Sequence, residues 1–246
     1  MINIYNFPNS SNVHHHQQKI PAKFPINIFY HLLPTPGMGI CIEKLHNRKR
    51  SVSLYRVTIH RRVITTMVTS CPKVVSSWIK CHLQAPCNLH KKVVGLDIEW
   101  RPSFRRGVQN PVAILQLCIK HRCLIFQLYQ ASSIPRSLYK ALCNPNIMFS
   151  GVKISGDAKR LKEDYGLEVA HCTDVAAMAA EVFDHKEFKR AGLKTLVENL
   201  IGEEIEKPKN VTLSNWELKY LSSGQVQYAC VDAYYSYKLG KLLIFD

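Results

Sequence analysis

Acidic residues are almost missing from the front of this chain. Residues 1–92 hold 13 Lys/Arg and one acid, Glu43, whereas residues 93–246 hold 20 Lys/Arg and 17 Asp/Glu. No run approaches the ~18 consecutive apolar residues of a spanning helix, so no membrane partner is expected. No apolar leader core opens the chain, which argues against secretion. The nine cysteines are odd in number and follow no framework spacing, as expected for reduced thiols inside a cell. Cys81, His82, Cys87 and His90 match no standard zinc spacing, and zinc is not expected there. No internal repeat is visible, which excludes a solenoid.

What is present is a chain of 246 residues, 46% hydrophobic and 21% charged, with a net charge of +15. That suits one large domain with an extension and a core that needs no staples. Nearly all the basic excess sits in the front part, a pattern that suits a polyanion partner. A solvated basic surface and an organelle-targeting leader are the other readings. Residues 1–50 contain Pro8, Pro21, Pro25, Pro34, Pro36 and a His14–His16 run without sustained periodicity. They are expected to form a basic, disordered extension whose removal leaves the fold intact, with the domain at 51–246.

The spacing predicts strands over Ser53–Ile59, Val63–Thr69, Val93–Trp100, Pro111–Ile119 and Cys123–Leu128, then extended chain over Ile147–Ile154. Helices are expected over Lys73–Lys80, Pro135–Leu142, the segment from Ser155 to Gly166, Thr173–Phe183 and Leu193–Ile201. Ser222 and Gln225 form a capping-box pattern before a last helix with an apolar stripe of Val226, Ala229, Ala233 and Tyr237. Strands first, then strand–helix alternation, indicate an α/β domain with a mixed sheet.

Asp97 and Glu99 alternate onto one face of an apolar strand, about 6.6 Å apart along it. Two neighbouring anions on a central strand need compensating cations, and hard divalent ions with oxygen ligands supply them. A strand-end pair reaching water or a lysine is equally compatible with D-x-E alone. Asp157 falls in the first turn of a helix, where it either satisfies amide donors or serves as an ionised ligand. Tyr228 and Asp232, four apart, share one helix face, with the acid bordering the apolar stripe. A tyrosine packed in the core with Asp232 at its rim would show the same spacing.

In order, Gly95-Leu96-Asp97-Ile98-Glu99-Trp100, Gly151-Val152-Lys153-Ile154-Ser155-Gly156-Asp157 and Tyr228-Ala229-Cys230-Val231-Asp232-Ala233 resemble the three motifs of DEDDy 3′→5′ exonucleases. Val112–Cys118 is similar to that family's second strand, and Ser214-Asn215-Trp216 with Gln225 to the approach to its last motif. The resemblance is strongest to Werner-type exonuclease domains, especially small stand-alone plant forms, with ribonuclease D more distant. It spans roughly residues 53–243. The sister DEDDh group has a His five residues before its last Asp, where this chain has Gln227.

The resemblance implies a ribonuclease H-like fold, a five-stranded mixed sheet flanked by helices. It implies two Mg²⁺ or Mn²⁺ ions, which four converging carboxylates also require for charge balance. In this assignment Asp97 bridges both ions, Glu99 and Asp232 complete one site, Asp157 supports the other, and Tyr228 positions the attacking water. Ile98 and Trp100 are expected to contact the terminal nucleotide. The implied function is stepwise 3′→5′ hydrolysis of nucleic acid, DNA favoured over RNA, to nucleoside 5′-monophosphates. A RecQ-type helicase is the implied protein partner, and the expected location is nuclear or cytoplasmic, with organelle targeting by residues 1–50 left open. The competing reading is a catalytically silent nucleic-acid-binding or helicase-docking module on the same fold. The presence of all five motif residues counts against it.

Overall fold

The computed structural model describes residues 39–46, 51–84 and 92–245. Most of the expected extension, including the His14–His16 run, and the residues Cys87, His90 and Lys91 lie outside them.

The described residues build eight strands: β1 (Ile40–Leu45), β2 (Ser53–Ile59), β3 (Arg62–Thr69), β4 (Lys92–Trp100), β5 (Val112–Ile119), β6 (Arg122–Phe126), β7 (Ile147–Gly151) and β8 (Cys172–Asp174). They form one mixed sheet in the order β1-β2-β3-β6-β5-β4-β7-β8. The sheet is therefore eight-stranded, not five-stranded as expected. The segment β6-β5-β4-β7-β8 supplies the expected five, and three N-terminal strands extend it because β3 pairs parallel to β6. Two-residue turns close β2–β3 at His60-Arg61 and β5–β6 at Lys120-His121. His60 (φ 52°) and Lys120 (φ 53°) adopt the left-handed backbone that tight hairpins demand.

Strand β1 also corrects the expected boundary at residue 51. It pairs antiparallel with β2 along its whole length, so the sheet begins inside the segment read as a dispensable arm. Glu43, the lone acid of the front part, sits opposite Arg56 and forms an ion pair with it.

Among the described residues seven α-helices flank the sheet: α1 (Pro72–His82), α2 (Arg136–Leu142), α3 (Ile154–Tyr165), α4 (Val175–Val182), α5 (Leu193–Ile201), α6 (Lys209–Thr212) and α7 (Ser223–Phe245). Helices α1, α2 and α3 cover one face around Trp78, Leu138 and Leu161, while α4, α5 and α7 cover the other around Val175, Leu196 and Val226. The expected helix over Thr173–Phe183 starts later. Thr173 and Asp174 pair with Ser150 and Gly151 in the sheet, and the Asp174 carboxylate then caps α4 by accepting from the Ala176 and Ala177 amides. Likewise β7 ends at Gly151, and Ile154 opens α3 instead of continuing the strand.

Helix α7 opens with the capping box its sequence announced. Gln225 N donates to Ser222 Oγ at 3.1 Å and Ser222 N donates to Gln225 Oε1 at 3.0 Å. It is buried on more than the expected stripe, since Tyr228, Cys230, Val231, Tyr234 and Tyr235 are buried as well. A helix apolar on nearly all sides belongs inside a fold, and α7 lies between the sheet and helices α4 and α5.

Candidate active site

Two glycine-sized contacts bring α7 onto the sheet. A Cβ on Gly95 of β4 would lie 2.0 Å from the Ala233 carbonyl oxygen, and one on Gly240 of α7 would lie 2.4 Å from Ser150 Oγ. Nothing larger than hydrogen fits at either point. Ser150 Oγ then donates to the Ser236 carbonyl at 2.8 Å, fixing the helix along the strands. Alternation carries Asp97 and Glu99 onto the same face as Gly95, so both acids point toward the first turns of α7. That helix answers with Tyr228 and Asp232.

One carboxylate oxygen each from Asp97, Glu99 and Asp232 lies within 4.8 Å of the other two, close enough to hold one ion. Asp157 stands outside that trio, in the first turn of α3, but its charge reaches Asp97. The turn before α3 is unusual: Lys153 has φ 58°, and its amide donates to Asp174 Oδ2 at 3.0 Å. One aspartate thus restrains the starts of two helices, α3 with Asp157 among them. All four acids sit where the parallel strands β4 and β7 end, the usual place for a site in such sheets.

The electrostatics expose a deficit of positive charge. Burial first, then the charges of Asp232, Glu99 and Asp157, hold Asp97 well above the usual carboxylate range. Burial and then Asp232 push Glu99 up to about 8, with Lys207 opposing. Burial also raises Asp157 to about 7, with Arg160 opposing. Asp232 is raised by burial despite Lys207 beside it. Acids held neutral by burial and mutual repulsion become ionised when cations arrive. An all-oxygen carboxylate set is the donor chemistry of Mg²⁺ or Mn²⁺, so the residues present fit the implied ions. Gln116, the cross-strand neighbour of Asp97, adds a fully buried amide with no hydrogen-bond partner on either atom, a further sign that this pocket expects other polar occupants.

Tyr228 stands one turn before Asp232 on α7, and burial first, then the Asp232 charge, raises its hydroxyl above the ordinary tyrosine value, so it stays protonated and can donate. The ring packs against the fully buried Trp216 at 5.9 Å between centroids. Trp216 is held in turn by the loop that Gln225 ties down through Ser214 Oγ (2.9 Å) and the Asn215 carbonyl (3.0 Å). The Ser214-Asn215-Trp216 segment thus serves to aim Tyr228.

Lys207 was invisible in the sequence. Its Nζ lies 2.6 Å from Asp232 Oδ2 and 5.3 Å from the centre of the Tyr228 ring. Burial alone would lower its pKa, but Asp232, Asp97 and Glu99 reverse that and keep it charged. It sits on an irregular stretch between Gly202 and Pro208 that no periodicity marks. The expected substrate contacts, Ile98 and Trp100, both pack on the α1–α3 face of the sheet. Ile98 alternates to the opposite face and is buried in the core with Leu96 and Phe149, because strand geometry cannot aim it beside Asp97 and Glu99. Trp100 is half-buried, and the Arg160 guanidinium covers its ring at 3.8 Å from the centroid.

A family model described as "3'-5' exonuclease" matches residues 68–243. The chain belongs to the 3′-5′ exonuclease family. It is 40% identical over 152 residues to an Arabidopsis thaliana "3'-5' exonuclease", a match covering 61% of this chain and 52% of that protein. It is 33% identical over 143 residues to the mouse "Bifunctional 3'-5' exonuclease/ATP-dependent helicase WRN", covering 58% of this chain and 10% of the relative. The match thus spans about half of the first relative and a tenth of the second. The fold resembles that of Escherichia coli RNase D, with TM-score 0.61 and 18% identity over 72% of this chain and 44% of that one. Its mixed sheet flanked by helices is ribonuclease H-like in fold. Among the described residues no helix is long and apolar enough to cross a membrane.

Proposed function

We propose that this exonuclease is of the tyrosine-bearing DEDDy type, depends on two divalent ions, and shortens DNA in preference to RNA. The observation that carries the proposal is the convergence of one carboxylate oxygen each from Asp97, Glu99 and Asp232 within 4.8 Å of one another, on the side of α7 that also bears Tyr228. Asp97, Glu99 and Asp232 would hold Mg²⁺ or Mn²⁺, with Asp157 supporting a second ion. When bound, the ions supply charge neutralisation and Lewis acidity at the phosphate. Tyr228 keeps its proton and orients the attacking water from the α7 side. That water gives up a proton to solvent as its oxygen bonds to the terminal phosphorus, the bond from phosphorus to the preceding 3′ oxygen breaks, that oxygen takes a proton to become the new 3′-hydroxyl, and a nucleoside 5′-monophosphate leaves. Lys207 adds a fixed positive charge where the phosphate gains negative charge. The DNA preference and a helicase partner rest on the resemblance to Werner-type domains and on the mouse relative's name, which couples the two activities.

Digestion of 5′-labelled DNA and RNA with recessed and protruding 3′ ends tests the reading. The expected result is a ladder of 5′-labelled products shortening one nucleotide at a time, only with Mg²⁺ or Mn²⁺ and faster on DNA. Release of internal fragments, or equal rates with EDTA, would overturn it.

A further inference from the structure

The loop from β4 to β5 leaves the metal-binding strand directly beyond Glu99, and it does something no core residue explains. Over residues 101–110 it carries Arg101, Arg105 and Arg106 and no acid. Its tip holds Phe104, 89% exposed, the most exposed of the large apolar residues among those described, followed by the exposed Arg105 and Arg106 and a turn at Gly107 (φ 76°). Neither of those two arginines has an ion-pair partner among the described residues. An aromatic ring in water flanked by two unpaired guanidiniums is unfavourable for an isolated protein and suits a ligand that offers flat rings and negative charge together.

The base of the loop, by contrast, is pinned beside the site. Asn110 Nδ2 donates to the Arg101 carbonyl at 2.8 Å, and the Asn110 carbonyl accepts from Arg160 at 2.6 Å. Arg160 belongs to α3, one turn beyond Asp157. From the same helix Asp164 accepts the Val112 amide at 2.8 Å and Tyr165 donates to the Val112 carbonyl at 2.6 Å. Arg101 reaches Glu217 at 3.5 Å, next to the exposed pair Lys219 and Tyr220. A fixed base and a presented tip are the arrangement of a docking element and not of a loose linker.

Resting on the exonuclease reading, we infer that this loop grips the unpaired strand just upstream of the scissile 3′ end. Phe104 stacks on a base, and Arg105 and Arg106 neutralise neighbouring phosphates. Because every base has a π-face, the contact favours single strands without reading sequence.

Binding is measured by fluorescence anisotropy with Ca²⁺ in place of Mg²⁺, on a single-stranded oligonucleotide of about ten nucleotides. Phe104→Ala should weaken binding about five- to a hundredfold while Phe104→Trp restores it. Joint Arg105→Gln and Arg106→Gln substitution should flatten the log K against log salt slope by about 1.4, two contacts at about 0.7 each. The site is exposed, and an unchanged thermal midpoint confirms that each variant folds. Unchanged affinity in Phe104→Ala, or the same loss on a blunt duplex as on the single strand, would overturn the inference. Hydrolysis of a dinucleotide, too short to reach the loop, tests the exonuclease reading separately. A wild-type protein that binds strands through Phe104 yet cleaves neither substrate with Mg²⁺ supports the loop and overturns the catalytic reading.

Discussion

Two groups of acids lie against α7 and solve their burial in opposite ways. Glu203 is surrounded by protein cations and donors: Arg62 and Lys238 each at 2.8 Å and the Tyr235 hydroxyl at 2.7 Å. Burial would raise its pKa, but these partners overcome it and hold Glu203 below the usual range. Asp97, Glu99 and Asp232 share a single close cation among the described residues, Lys207, and all three are raised. The first group is closed within the fold. The second needs charge from outside, and that deficit is what distinguishes a binding site from a structural ion-pair network.

The comparison breaks most visibly through turnover. Asp97→Asn should abolish nucleotide release, by about 10³-fold or more at saturating Mg²⁺, because a ligand is lost. The same substitution should not lower the thermal midpoint of the metal-free protein, since it removes a source of repulsion. A stability loss there would mean the acid is structural, like Glu203. Next in size, Tyr228→Phe should lower kcat by about 10–10³-fold, the range of a positioning or acid–base group, and leave Mg²⁺ affinity unchanged by calorimetry. A parallel fall in affinity would make Tyr228 part of the ligand set instead.

Glu203→Gln probes the closed group. It strands the half-exposed Arg62 and the Lys238 ammonium, and chemical denaturation should show a loss of about 2 kcal/mol, below the range for fully buried pairs. The smallest effect is that of pH on the metal-free protein. Glu99, raised to about 8, and Asp157, raised to about 7, keep protons in the folded state that the unfolded chain has released. Their contribution to stability is therefore full below their unfolded pKa values and lost as pH rises through about 7 to 8. Glu203 runs the other way, its contribution present above its unfolded pKa and lost on acidification. The midpoint of metal-free Glu99→Gln should decline less between about pH 5 and 8 than that of the wild type, and added Mg²⁺ should flatten the wild-type profile. Identical profiles would place the proton elsewhere.

The site was legible in part because its spacings are local. Alternation puts Asp97 and Glu99 on one strand face, and a four-residue step puts Tyr228 and Asp232 on one helix face. The Ser222–Gln225 box and the stop at Gly166 were equally readable, since capping involves neighbours in the chain. The same alternation already separates Ile98 from its flanking acids. Arg160 over Trp100 joins residues far apart in sequence and left no local sign.

By itself, then, the sequence determined which acids share a strand face and which tyrosine and acid share a helix face, the type of nearly every element and the α/β class, all governed by interactions within a few residues. Only the tertiary structure decided that β1–β3 extend the sheet to eight strands. It also decided that Gly95 and Gly240 let α7 close on the strands, and that Lys207 is set against Asp97, Glu99 and Asp232. Strand order, helix docking and charge compensation are contacts between distant segments. Their energy depends on burial and distance, and neither exists until the chain has folded.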